Sequence, residues 1–187
     1  MGDRGMSTLI TTNIKHPSSS SNNLVLTSGG GVTGAGKILQ VVQTLKTDAF
    51  TTTSTSAVDI TGMSVTITPS SSSNKVLVTV NLAMGTEDDN FTYARLLRGS
   101  TELAVADAAS DRPRPLFMVY NTNEGIIETR SFTFLDSPST TSATTYKMQL
   151  NCSTSGNAYI NRSYRDNDAS TYDPRLPSTI TAMEVAA

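Results

Sequence analysis

Tryptophan is absent from this sequence, and cysteine and histidine occur once each, as Cys152 and His16. A single cysteine excludes an internal disulfide framework, and with a single histidine it excludes a metal centre built from soft ligands. Any Ser-His-Asp arrangement would have to run through His16, which sits in the loop-like "KHPSSSS" far from a candidate nucleophile, so a surface histidine is expected. Cys152 falls in a strand pattern and reads as a small buried hydrophobe. Long apolar runs are missing too, and nothing approaches the ~20 residues of a membrane-spanning helix. The N-terminal "MGDRGMSTLITT" lacks the apolar core of a secretory signal, and Met6 stands where a myristoylation signal carries Ser or Thr. Charged residues make up only 16% of the chain and nearly cancel at a net −2, which leaves no basic footprint for nucleic acid. These absences predict a soluble chain made and kept in a cytoplasm-like setting, or exported by a route other than a signal peptide, with no membrane insertion, no nucleic-acid partner, no cofactor and no resident metal.

What is abundant is serine and threonine, 53 of the 187 residues. Thr and Val suit pleated surfaces, and Ser, Asn, Gly and Pro punctuate them, so this balance points to a β-rich protein. The length suits one domain with a short appendage, since about 150 residues bury roughly 70% of their unfolded surface. Residues 1–36 hold short apolar snippets, "STLITTNIK" and "NLVL", among Ser and Gly tracts, and read as an extended N-terminal arm for docking, with a Gly-rich hinge at its end. From Lys37 the texture tightens. "KILQVVQTLK" has helical spacing, but Val41 beside Val42 and the Thr-rich "TDAFTTTSTS" that follows favour a strand. "SVTITP", "KVLVTVNL", "FTYARLLRG", "TELAVAD", "PLFMVYN", "IIETRSFTFLD", "TYKMQLNCS", "NAYINRS" and "STITAMEVA" read as further strands, parted by turn signals at about 8–12-residue intervals. The expected fold is all-β, a jelly-roll-like sandwich of about ten short strands over 37–187.

Chemistry is harder to find. "GVTGAGKI", from Gly31 to Ile38, falls one residue short of the phosphate-binding signature, because Ile38 stands where a hydroxyl should reach magnesium. No helix is expected after Lys37 to present its N-terminus to phosphate, so the glycines read as a joint. The acidic "TEDDN" and "RDNDASTYD" lack the glycine and closing glutamate of a calcium-binding loop, and read as solvated loops. Glu87 and Asp89 have the residue types of a glycosidase pair, but no aromatic cleft is evident around them. Arginine and tyrosine cluster better. Arg112 and Arg114 lie in "SDRPRP", and Tyr164, Arg165, Tyr172 and Arg175 in "YRDNDASTYDPR". Both types are enriched at binding hot spots, and a receptor-binding loop or a subunit-interface loop accounts for them equally.

The ordered phrases "GKILQVVQTLKTDAFTTTSTSAVDITGMSVTITPSSSSNKVLVTVNLAMG", "LLRGSTELAVADAA", "FLDSPSTTSATTYKMQL" and "STITAMEV" resemble virion proteins of tailed phages, especially those of marine hosts. The resemblance covers about 80% of the chain, and "TNIKHPSSSSNNLVL" is similar to a repeat unit along such fibres. It carries no catalytic motif. It implies a trimeric head of the complement-C1q and tumour-necrosis-factor type, with the last strand central in its sheet. The expected function is a homotrimeric phage tail fibre or fibre tip, located in the virion, assembled in the host cytoplasm, docked to other virion proteins through 1–36 and meeting a host surface glycan or protein. A capsid decoration or vertex protein is the alternative, and a glycan-cleaving enzyme a distant third.

The Ile38 substitution generates a first prediction. A ligand at a hundred times its Kd adds about 2.7 kcal/mol of stability, so nucleotide binding would be visible as a raised Tm. ATP or GTP at millimolar concentration is expected to leave the Tm unchanged, and a clear rise would show that the glycine run holds phosphate.

Overall fold

A computed structural model describes residues 37–187, except 124, 169 and 170, together with three short N-terminal strands. These are β1 (Asn13–Ile14), β2 (Leu24–Leu26) and β3 (Val32–Thr33), which form an antiparallel sheet in the order β1-β2-β3. The rest of residues 1–36, including His16 and the glycines expected to form a hinge, lies outside the described residues. The remaining strands are β4 (Ile38–Lys46), β5 (Phe50–Thr52), β6 (Val58–Ile67), β7 (Lys75–Thr86), β8 (Asn90–Arg98), β9 (Thr101–Leu103) and β10 (Phe117–Asn121). They are followed by β11 (Glu128–Asp136), β12 (Thr144–Cys152), β13 (Ala158–Ile160) and β14 (Ser178–Val185). Among the described residues there is no helix. Lys37 leads straight into the nine-residue strand β4, the geometry a phosphate-binding loop does not have.

Two antiparallel sheets face each other. The first runs β4-β14-β7-β11, with β13 and β5 extending it at one end; the second runs β6-β12-β8-β10, with β9 on the edge of β8. Counted among the eight long strands, the first sheet reads first, eighth, third, sixth, and the second reads second, seventh, fourth, fifth. That order is a jelly roll. The strand closest to the C-terminus, β14, is central, between β4 and β7.

Alternation builds the core. Val76, Val78, Val80, Leu82 and Met84 of β7 all point inward and meet Ala94 and Leu96 of β8 and Tyr146, Met148 and Leu150 of β12. On β6 the inward residues are Ile60, Met63, Val65 and Ile67, whose first interval breaks the two-residue period. The ladder to β12 shifts between Lys147 and Gln149, and Gly62 adopts a φ of 81°. Across this shift two residues of β12 face five of β6, so the irregularity absorbs an odd number of residues and returns the apolar set to the inner face. Beyond Leu103 the expected strand "TELAVAD" stops, because Ala104 takes a left-handed φ of 54° and starts the loop 104–116.

Polar groups close one end and one edge of the sandwich, with Asp136 and Glu184 both in register with Val76. At one end Tyr146 donates to Asp136 at 2.6 Å, and Arg98 donates to both Asp136 oxygens at 2.7 Å, tying β12 and β8 to β11 across the sandwich. At the edge, Gln40 and Thr44 of β4 donate to the carbonyls of Thr68 and Ser64. Glu184 of β14 is 1% exposed and accepts from Asn74 (2.6 Å), Gln40 (2.7 Å), and the backbone N–H (2.6 Å) and hydroxyl (2.7 Å) of Ser70. Burial alone would raise its pKa, but these donors outweigh burial and bring it down to about 2.

A depressed carboxylate pKa contributes stability that is present above its unfolded value and lost as pH falls toward the folded one. Stability is therefore expected to fall from about pH 5 toward pH 2 as the Glu184 carboxylate takes up its proton. Glu184→Gln places an amide against donors, so it should cost about 2 kcal/mol at pH 7 and flatten this acid limb in urea titrations. An unchanged acid limb would mean that the carboxylate does not hold the Ser70–Asn74 loop.

Candidate functional site

The first sheet contains a strand in two pieces. Met84 of β7 pairs with Glu128 of β11 on one side and with Ile160 of β13 on the other, so β13 and β14 lie end to end on the same side of β7. The chain leaves this line at Asn161, which takes a φ of 65°, and re-enters it at Ser178. Ala83 would lose its ladder partners at the gap. Instead its carbonyl accepts from Asn161 N–H at 2.9 Å, and its N–H donates to the Ser178 hydroxyl at 2.9 Å. Ser178 donates in turn to Asn161 Oδ1 at 2.6 Å, and Asn161 Nδ2 donates to the carbonyls of Lys46 and Asp48. Asn161 and Ser178, both fully buried, thereby repair a broken ladder and launch the loop 161–177.

That loop carries four of the six candidate site residues. Arg165 grips Asp173 with bonds of 2.8 to 3.1 Å, and its guanidinium holds the Asp173 carboxyl below the usual carboxylate range. Arg175 grips Asp166 through two bonds of 2.6 Å. Tyr164 packs near the ring of Tyr159, on which Arg162 also sits at 4.7 Å from the centroid. The two arginines therefore set the shape of the loop, while Tyr172 projects from it at 79% exposure. Between this loop and the β10–β11 connection lies a cleft of about 340 Å³, lined by Asn123, Gly125, Ile126, Arg165 and Tyr172. A Cβ on Gly125 would come within 2.8 Å of the Arg165 guanidinium, so glycine lets the arginine lie across the cleft. Arg112 and Arg114 belong to a different loop, 104–116, which leaves the free edge of the second sheet. There Arg114 bonds the Ala106 carbonyl. The structure brings together Arg165 and Tyr172, and it places the two prolyl-loop arginines apart from them.

The acidic candidates serve local structure. Glu87 accepts both the backbone and the side-chain N–H of Asn157 at 2.8 Å, and Asp89 accepts the Tyr120 hydroxyl at 3.0 Å. Among the described residues no three His, Cys, Asp or Glu side chains converge as metal ligands. Cys152 is buried, and burial pushes its thiol pKa up, away from the reactive thiolate.

The outer faces of the two sheets differ in a way that strand patterns alone did not reveal. On the first sheet the register aligns Val41, Met183, Leu77 and Leu135 in one apolar row across four strands. The next row is Gln43, Thr181, Thr79 and Thr133, and the next Leu45, Thr179, Asn81 and Ser131. None of these twelve side chains is charged, and Val41, Leu45 and Leu135 are exposed. The polar ones bond each other: Gln43 to Thr181, Thr79 to Thr133, and Asn81 to Thr179 and Ser131. The second sheet presents charge instead, with Lys147 and Gln149 on Asp59 and Arg95 on Asn151 and Glu102. Single-strand alternation marks the outward positions, but only the cross-strand register assembles them into an uncharged face.

No protein-family model and no curated protein matches the chain. Among solved structures it is similar to that of infectious bursal disease virus Gt strain, at 15% identity and a TM-score of 0.43, over 94% of this chain and 47% of that one. It is also similar to the T=1 particles derived from the same virus, at 15% identity and a TM-score of 0.41, over 84% and 39% of the two chains. For the VP2 subviral particle the identity is 16% and the TM-score 0.41, over 90% and 45%. The chain spans less than half the length of each of these proteins.

Asn161→Ala removes the bonds to Lys46, Asp48 and Ser178 together and leaves an alanine at positive φ. A loss of about 2–4 kcal/mol is expected, with proteolytic cleavage appearing first within 162–177. Wild-type stability and protease resistance in the variant would show that the loop does not depend on this staple.

Proposed function

We propose that the chain is a non-enzymatic structural subunit of a virus particle, a homotrimeric phage tail fibre or fibre tip assembled in the host cytoplasm. The observation that carries this reading is the uncharged outer face of the first sheet. Four strands at about 4.8 Å spacing and about six residues at 3.3 Å each make a face of roughly 380 Å², about half of the ~800 Å² per partner of a standard interface. Burying it strands no charge, and its hydroxyls and amides already have partners, so the desolvation penalty that normally opposes covering a sheet is small. An exposed apolar row of this kind marks an interaction surface. The resemblance to tailed-phage virion proteins supplies the particle, and the C1q-like strand order it implies supplies the threefold closure. In this assembly the 161–177 loops of the three copies lie at one end, where weak contacts to a host surface glycan or protein add through simultaneous engagement. Residues 1–36 serve as the docking arm toward other virion proteins.

A capsid decoration or vertex protein would use the same face for the same purpose, and location separates the two. Antibody labelling of intact particles in electron micrographs should mark the tail end; label over the shell would assign the chain to the capsid.

Light scattering should report about three times the 19.8 kDa chain mass. Val41→Lys with Leu135→Lys places charge in the apolar row and should shift the species to the single-chain mass while the β-sheet circular dichroism persists. A wild-type chain that stays monomeric at micromolar concentration would overturn the trimer.

A further inference from the structure

On the outer face of the second sheet, β8 and β10 place Phe91 opposite Tyr120 and Tyr93 opposite Met118. All four point away from the core, and Phe91, Met118 and Tyr120 are 37%, 48% and 42% exposed. The Phe91 and Tyr120 rings stack at 4.6 Å, and the Phe91 and Tyr93 rings lie parallel within 8° at 6.3 Å. The result is a flat two-by-two block of apolar surface at the loop end of the sandwich, beside the Asp88–Asp89 turn. The Tyr120 hydroxyl donates to Asp89, and the neighbouring carboxylate holds the phenol in its protonated form. The phenol oxygen is left to accept from a ligand hydroxyl. Asn151 lies beside Tyr93 in the register, and Arg95 is already committed to Asn151 and Glu102.

We propose that Phe91, Tyr93, Met118 and Tyr120 form a stacking platform for a neutral oligosaccharide. Size decides against a protein partner, because the four side chains expose roughly 300 Å² together, against the ~800 Å² per partner of a stable protein interface. Charge decides against an acidic glycan or a nucleic acid, because the rim carries Asp88 and Asp89 and the nearby cations Arg95 and Lys147 are paired. A pyranose ring fits what remains: its C–H face meets the electron-rich face of an aromatic ring, and its equatorial hydroxyls reach polar groups at the rim. This inference rests on the reading that the particle meets a host surface, and gives that contact a place and a ligand class. The four platform residues belong to β8 and β10, not to the 161–177 loop.

The test titrates the full chain with neutral hexasaccharides of glucose, mannose, galactose and N-acetylglucosamine, read by ligand-detected NMR and by tyrosine fluorescence, which no tryptophan obscures. At least one should bind saturably with a Kd of about 1 mM or tighter, with little dependence on salt. Phe91→Ala and Tyr120→Ala should each weaken it about tenfold, Tyr120→Phe less, and Tyr172→Ala not at all. The Val41→Lys, Leu135→Lys variant should keep the affinity per site whatever its oligomeric state, so failure of the platform and failure of the trimer are told apart. Silence across the whole panel would overturn the proposal. So would binding that survives Phe91→Ala with Tyr120→Ala in a folded chain, a requirement for an acidic sugar, or a change of oligomeric state in Tyr120→Arg, which would give the block to a second copy.

Discussion

The gap opposite Ala83 organises one whole end of this molecule. An unpaired N–H and carbonyl at that depth would each cost about 1–3 kcal/mol, and the chain avoids both costs with two short polar side chains on either side of an excursion. Because Asn161 also bonds the carbonyls of Lys46 and Asp48, the same staple fixes the bend between β4 and β5. The long loop, the cleft beside it and the extended end of the first sheet are thus hung from one buried cluster. The ion pairs Arg165 with Asp173 and Arg175 with Asp166 then tie the described parts of the loop to each other.

The two outer faces divide the labour of the surface. One presents three uncharged rows, headed by an apolar one and internally hydrogen-bonded, with Lys75 at their margin, which suits cover. The other is laced with ion pairs, which water already satisfies, and carries its apolar surface as a compact aromatic block at the loop end. A sandwich with two charged faces would stay solitary, and one with two apolar faces would associate without limit. The asymmetry gives the two faces different chemistry, one suited to cover and one to solvent.

Most of the architecture was legible in the sequence, because Val76 to Met84 and Tyr146 to Leu150 state their inward faces in a strict two-residue alternation. The β4 segment was ambiguous in periodicity and was decided by its neighbouring β-branched residues. What the sequence concealed was of two kinds. The first was backbone conformation: the left-handed Ala104 and Asn161 ended strands whose composition favoured continuing, and Gly62 hid the bulge that lets β6 start six residues before "SVTITP". The second was register. Leu77, Leu135, Val41 and Met183 are scattered along the chain and become a row only through pairing, as do Phe91, Tyr93, Met118 and Tyr120. The arginine and tyrosine cluster of 164–175 stood out because its members are close in sequence, and for the same reason most of its charge is spent within the loop. Glu184 was hidden in an apolar phrase, since its donors come from Gln40, Ser70 and Asn74, far along the chain.

The central position of β14 has a consequence for how the protein comes into being. Ala83 and Ser178, joined across the ladder, are 95 residues apart, and β4 and β7 have no strand between them until that distance has been synthesised. Until β14 is made, the facing edges of β4 and β7 lack the strand that pairs with their backbone N–H and carbonyl groups, which leaves an open slot. Loop closure over such a span makes the last step slow, and the open slot accepts any passing strand, including the β14 of a neighbouring nascent chain. On a polysome making many copies at once, the same vacancy that delays each monomer offers a route to strand-exchanged assemblies.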